Sequence, residues 1–113
     1  MKLVVIFLNK LEQLEELLTA FIEIGVSGAT VVNSVGMGHI VTENIPIFAG
    51  LRQAFAGTSP SNRTIFSVVE DEKVEDIANV LEDVCGSFDE PGAGVMVALE
   101  LAQVYGYRQR TDR

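Results

Sequence analysis

The chain has 113 residues, 48% of them hydrophobic and 21% charged, which suits one globular domain and excludes a disordered protein. Its net charge is -8 and its sequence pI is about 4.5. No basic stripe interrupts this acidic balance, so nucleic acid is not an expected partner. The apolar run 3–8 is too short for a signal peptide or a membrane span, so we expect a cytoplasmic protein that does not itself span a membrane.

The first quarter of the chain predicts a strand followed by a helix. Residues 3–8 are continuously apolar and rich in branched side chains, as in a buried strand. Asn9 and Glu12 have the spacing of a capping box for a helix that runs to about Ile24. Gly25 stands where a left-handed residue ends a helix. The apolar stripe of this helix comprises Leu11, Leu14, Leu17, Leu18, Phe21 and Ile22.

A second strand, residues 29–35, leads into a long segment whose residues do not indicate one type of secondary structure. Gly36 and Gly38 follow the strand, and the loop-like segment 37–63 separates it from the next strand, 65–69. A loop of this length is uncommon in a small domain and usually has a function.

The second half repeats the plan of the first. Asp71 is expected to cap a helix that Gly86 ends. The buried stripe of this helix comprises Val74, Ile77, Ala78, Leu81, Val84 and Cys85, so the single cysteine is expected to be a packed thiol. A glycine loop, 91–94, precedes a fourth strand, 95–101. Residues 104–107 are expected to form a short fifth strand, and 109–113 a flexible polar tail.

This order of elements predicts an α+β fold, a ferredoxin-like βαββαβ sandwich in one domain, 1–108, with a long loop between strands 2 and 3. Two helices cover one face of the sheet, but the strands are apolar on both faces. We therefore expect a homo-oligomer, most naturally a closed ring, in which other copies cover the second face.

The glycine loops are the first candidate site. Gly36-Met-Gly38 and the loop 91–94 can each present backbone amides to an anion. His39 is the only histidine and is either a ligand contact, an ordinary loop residue or, with Glu43, a metal ligand.

Other side chains are candidates for contacts with a partner. The cations Arg52, Arg63 and Arg108 stand out on an acidic chain. Phe48, Leu51 and Phe55, in the long loop, either form a partner-binding patch or pack against the domain. No nucleophile-base pair, metal-ligand cluster or dinucleotide fingerprint appears, so no residue is predicted to be catalytic and the protein is not expected to be an enzyme.

The sequence GVSGATVVNSVGMG, residues 25–38, resembles the second-strand region of PII nitrogen-regulatory signalling proteins. The resemblance continues through the second half and ends near Arg108. It implies a ferredoxin-like homotrimer with a ligand, such as ATP, ADP or 2-oxoglutarate, in the clefts between subunits. It also implies that the 37–63 segment, the T-loop of that family, contacts a protein partner such as a transporter or an enzyme.

The resemblance also assigns ligand-binding residues. Thr30, Gly36 and Gly38 fall near the loop base and its phosphate-facing turn. Gly92 and Gly94 fall on the second phosphate loop, and Arg108 falls on one of two C-terminal arginines. The expected ligand-binding set is Thr30, Gly36, Gly38, His39, Gly92, Gly94 and Arg108.

Several positions depart from the family pattern. His39 stands where the family has an arginine, Ile40 where it has a magnesium-holding glutamine, Val95 where it has a lysine, and Gly106 where it has the other arginine. Each charge-assisted bond to phosphate contributes about 1.5–3 kcal/mol. Ordinary binding of magnesium-ATP is therefore not expected, and the cofactor is left open, an adenine nucleotide being one candidate.

The sequence and the resemblance together indicate a non-enzymatic regulatory protein that senses a small anionic, nucleotide-like ligand. Two alternatives stay open. The first is a ligand-independent trimeric interaction module that binds its partner through Phe48, Arg52 and Phe55. The second is a metal-binding trimer similar to divalent-ion-tolerance proteins, which have this fold.

Overall fold

A computed structural model describes residues 1–38, 40, 62–90 and 94–108 of the chain. Within these ranges the strands and helices follow the order that the sequence predicts. They are β1 (Lys2–Leu8), a short 3-10 helix (Leu11–Gln13), α1 (Leu14–Glu23), β2 (Thr30–Ser34), β3 (Asn62–Val69), α2 (Lys73–Cys85) and β4 (Val95–Glu100).

The four strands form one antiparallel sheet in the order β2-β3-β1-β4. This order, with two helices on one face, is the ferredoxin-like arrangement, so the predicted fold is confirmed. No helix in the described ranges is long and apolar enough to cross a membrane.

Two predicted helix caps are wrong. The residue before the 3-10 helix is Lys10, no side chain caps that helix, and the amide of Asn62 donates to Asn9 at 3.4 Å. No side chain caps α2 either. The carboxylate of Asp71 instead lies 2.9 Å from the amino group of Met1 and 3.1 Å from the Lys2 ammonium.

The ends of both helices are as predicted. Gly25 and Gly86 follow α1 and α2 with φ of 90° and 100°, a conformation that glycine adopts without strain. A lysine at the start of each helical region then donates to a carbonyl at the end of the other helix. The Lys73 ammonium donates to the carbonyl of Ile24 at 2.5 Å, and the Lys10 ammonium donates to that of Cys85 at 2.7 Å.

The core lies between the helices and the sheet. Its buried members are Val4, Ile6, Leu8, Leu17, Phe21, Val26, Ile65, Val69, Ile77, Leu81 and Cys85. Cys85 is thus packed, as predicted, and burial raises the pKa of its thiol. Ile22 does not join the core, because 61% of its surface is exposed on the outer side of α1.

The opposite side of the sheet carries apolar side chains that the described chain covers only in part. The strand register places these side chains on the side away from Ile6 and Ile65. We call this surface the open face; its partly exposed apolar members are Phe7, Val32, Phe66, Val95, Val97 and Leu99. The sequences of the strands predicted this second apolar face.

Candidate functional site

A cavity of about 690 Å³ lies at one end of the sheet. Three segments form its walls: residues 25–30, which lead into β2; residues 66–70, at the end of β3; and residues 104–108, near the C-terminus. Leu3 of β1 and Lys73 of α2 also contribute. The volume is within the range usual for sites that bind small molecules.

Hydrogen bonds hold the first two walls together. The hydroxyl of Ser67, which is 3% exposed, donates to the carbonyl of Gly28 at 2.6 Å. The amide of Val26 donates to the carbonyl of Phe21 at 2.8 Å, directly after the turn at Gly25. The first bond fixes residues 25–30 against β3 and the second fixes them to the end of α1, so this part of the wall is formed before any ligand arrives.

The third wall is an irregular segment that crosses the end of the sheet. The amide of Leu101 donates to the carbonyl of Met1 at 3.2 Å. Beyond it the described chain, up to residue 108, contains no strand, so the predicted fifth strand at 104–107 is wrong. Gly106 has φ of 83°, and this turn separates the exposed Tyr105 from Tyr107.

Two carboxylates lie near Tyr107. Partial burial, followed by the nearby carboxylates of Glu70 and Glu72, raises the pKa of its hydroxyl. The phenol, like any tyrosine hydroxyl at neutral pH, can donate a hydrogen bond. Arg108 lines the same cavity, and its guanidinium forms no ion pair or hydrogen bond within the described part of the chain.

The structure brings together two of the predicted ligand-binding residues, Thr30 and Arg108, which both line this cavity. Gly36 and Gly94 lie elsewhere. Gly36 follows the far end of β2, beside Asn62, and Gly94 precedes β4 beside the carbonyl of Phe7. Both are at the end of the sheet opposite the cavity, and β2 alone spans roughly 16 Å at 3.3 Å per residue.

A polar cluster holds the sheet together at that far end. The hydroxyl of Ser34 lies 2.8 Å from that of Thr64 and also donates to the side-chain oxygen of Asn62. The long segment leaves β2 and enters β3 at this cluster, which fixes where the segment starts and ends. Asn62 and Arg63, assigned to the loop from the sequence, belong to β3.

Several predicted residues lie outside the described part of the chain. These are His39, Gly92, the partner-binding set of Phe48, Arg52 and Phe55, and the tail 109–113. Gly38 is described and lies in a helical turn, in which the amide of Ile40 donates to the carbonyl of Gly36 at 3.3 Å.

Comparison with protein families gives one match over nearly the whole chain. The family model named nitrogen regulatory protein P-II matches residues 1–111. The chain belongs to the P-II family. Comparison with curated proteins gives no match. Membership of the P-II family supports a regulatory signalling protein rather than an enzyme.

The described residues of this P-II protein contain no group of three histidine, cysteine, aspartate or glutamate side chains that could hold a metal ion. The metal-binding alternative rests on His39 and Glu43, which lie outside those residues.

Sequence reasoning missed most of the cavity of this P-II protein. Phe66 and Ser67 were assigned only to a strand, and Lys73 only to a helix, although all three line the cavity. One signal was available in the sequence. Tyr105 and Tyr107 stand on either side of a glycine and directly before Arg108, an unusual concentration of aromatic residues in a polar C-terminal stretch.

Proposed function

We propose that this P-II protein is a trimeric sensor that binds a small anionic, nucleotide-like ligand between subunits. Ligand binding changes the populations of conformations of the 37–63 segment, which then regulates a protein partner, a transporter or an enzyme, in the cytoplasm. One observation carries this proposal: those expected ligand-binding residues that the structure describes are divided between the two ends of one subunit's sheet.

The division indicates that a complete site needs two copies of the chain. Thr30 and Arg108 form part of the cavity at one end, whereas Gly36 and Gly94 lie at the other. Within one subunit these two groups of residues are separated by roughly the 16 Å length of β2. Adjacent copies in a closed ring can place the glycine end of one subunit against the cavity end of the next.

The open face supplies a reason for such copies to associate. Its six apolar side chains each keep between 37% and 55% of their surface exposed in the single chain. Covering them removes apolar surface from water, which is the main favourable contribution to association of subunits.

Mixing two variants tests whether the site is shared between copies. Arg108→Gln removes the cation at the cavity end. Gly36→Asp places a carboxylate at the glycine end, where a new Cβ would lie 3.6 Å from the Asn62 side chain, an ordinary contact. Each variant alone is expected to lose binding of AMP and ATP, measured by isothermal titration calorimetry.

Mixed assemblies should recover part of the binding. If subunits exchange at random in equal amounts, about a quarter of the sites combine two intact halves. A mixture that binds no more than its separate variants would contradict a shared site. Assembly of the wild type without heat from either nucleotide would favour the ligand-independent interaction module instead.

A further inference from the structure

A second, smaller groove lies on the helix side of the sheet, opposite the open face. We call it the α1 groove; its volume is about 200 Å³. One flank of α1 and the segment that leads into β2 form its lining: Leu18, Phe21, Ile22, Val26, Ser27 and Ala29. This volume is below the range usual for sites that bind small molecules, but it suits a large side chain from another protein.

The lining of the α1 groove combines buried and exposed apolar side chains. Phe21 and Val26 are buried members of the core, so this part of the groove is held in place by packing. Ile22 is largely exposed. The register of β2 with β3 places Val31, which is also exposed, on the same side of the sheet. A fixed apolar floor beside exposed apolar side chains is typical of a surface on which a partner anchors a side chain.

Carboxylates are the main charges on the helix that forms this groove. The sequence has no lysine or arginine between Lys10 and Arg52. In and just before α1 the same stretch has four exposed carboxylates: Glu12, Glu15, Glu16 and Glu23. Glu15 precedes Leu18 by three residues and Ile22 by two helical turns, so these three side chains share one stripe of the helix. Glu15 therefore lies at the rim of the groove.

Two described cations lie at the ends of this region. The ammonium of Lys73 lies beside Gly25 and donates to the carbonyl of Ile24, and Arg63 pairs with Asn33 where β2 lies against β3. The four carboxylates outnumber these two cations. The surroundings of the α1 groove are therefore acidic, and they attract a cationic partner.

Two occupants that this protein itself could supply fit the groove poorly. A second copy docked groove to groove would bring the same carboxylates together, and like charges repel. The chain's own tail, 109–113, has arginines but no apolar side chain that could fill the groove. A segment of a different protein, with both an apolar side chain and cations, matches the groove better.

We propose that the α1 groove docks a short segment of a partner protein that presents a large apolar side chain between lysines or arginines. The apolar side chain packs beside Ile22, and the flanking cations face Glu15 and the other carboxylates of the helix. Because the groove lies opposite the open face, it stays accessible when copies of the chain assemble through that face. This docking surface is separate from the 37–63 segment and goes beyond the sensor function proposed above.

Labelled peptides test this docking site in fluorescence anisotropy titrations with the full-length, assembled protein. The probe is a short peptide with a central pair of leucines flanked by lysines. One control peptide replaces the leucines with serines, and the other replaces the lysines with glutamates. The leucine-lysine peptide is expected to bind, and each control to bind at least about tenfold more weakly. Added salt should reduce the advantage of the lysines, because it screens exposed charges.

Variants of the protein locate the peptide in the groove. Ile22→Ala removes the exposed apolar side chain and is expected to weaken binding of the leucine-lysine peptide by about five- to thirtyfold. Glu15→Gln should weaken it by about two- to fivefold at low salt and leave it unchanged at high salt. Asp83→Asn is the matched control, since it removes an exposed carboxylate from α2, outside the groove, and it should leave the affinity nearly unchanged.

Four results would overturn the proposal. No binding of the leucine-lysine peptide at concentrations up to about 1 mM would mean that the groove docks no such segment. Full binding by Ile22→Ala would place the leucines elsewhere, and equal losses in Glu15→Gln and Asp83→Asn would mean that the peptide responds only to net charge. Larger assemblies of the wild type that Ile22→Ala disperses in sedimentation would identify a second copy as the occupant. The proposed sensor function does not depend on any of these results.

Discussion

Replacing Val97 with glutamate tests whether the open face holds copies of the chain together. Val97 lies opposite Val5 in the middle of β1 and β4, and 41% of its surface is exposed in the single chain. A glutamate there can reach water in a monomer, so the subunit should still fold. In an assembly closed by the open faces, the same carboxylate would be buried near those of its neighbours.

The free energies involved predict that Val97→Glu strongly weakens assembly. Full burial of a large apolar side chain contributes about 1.5–3 kcal/mol. Covering the remaining half of six such side chains would therefore contribute roughly 4–9 kcal/mol per subunit. An unpaired buried charge costs several kcal/mol. One glutamate per subunit is thus expected to remove most of the net stabilisation, since association itself opposes assembly by about 4–15 kcal/mol.

Sedimentation velocity at micromolar concentration measures the result. The wild type is expected to sediment as a trimer and Val97→Glu as a folded monomer. Ile22→Glu is the matched control, because Ile22 is 61% exposed on the outer side of α1, across the sheet from the open face. A monomeric wild type, or a Val97→Glu variant that still assembles, would refute the reasoning about the open face.

Three further predictions concern stability and reactivity. Lys73→Met removes the donor to the Ile24 carbonyl and should lower the free energy of unfolding by about 1–2 kcal/mol in urea titrations, whereas Lys73→Arg should lose less. The amino group of Met1, then the Lys2 ammonium, lowers the pKa of Asp71, so this carboxylate stabilises the fold above its unfolded pKa. The stability difference between wild type and Asp71→Asn should therefore narrow as the pH falls below about 4, and a constant difference would contradict the ion pair. The buried Cys85 thiol should react with a thiol reagent only at the rate of unfolding; fast labelling of the native protein would show that it is accessible.

Local sequence patterns predicted the elements well and the roles of individual polar residues poorly. The apolar run of β1 and the glycines after α1 and α2 behave as their patterns indicate, because burial and backbone conformation are decided locally. Asn9 and Asp71 have the right spacing for helix caps, but distant partners take their side chains. A side chain that could cap a helix can instead bind a group that the fold brings near. The local sequence does not show which of these two contacts forms.

The candidate site was predictable only in part, for a related reason. The resemblance assigned Thr30 and Arg108, and the structure places both on one cavity. That Phe66 lies beside Thr30 depends on the pairing of β3 with β2, which residue patterns alone do not specify. The separation of Gly36 from the cavity likewise follows from strand direction, since a residue before β2 and one after it must lie at opposite ends of the sheet.

Lys10 and Lys73 each donate a hydrogen bond to the end of the helix in the other half of the chain, so the two halves depend on each other. Lys10 belongs to the first strand-helix unit but completes the helix of the second, and Lys73 does the reverse. A fragment that contains only one unit would keep its hydrophobic pattern yet lack the cation that finishes its helix. The strand order β2-β3-β1-β4 strengthens this link, because the two strands of the first unit pair only with strands of the second. The internal duplication in the sequence is therefore not a pair of autonomous modules, and a chain severed within its long segment would need both pieces to rebuild the sheet.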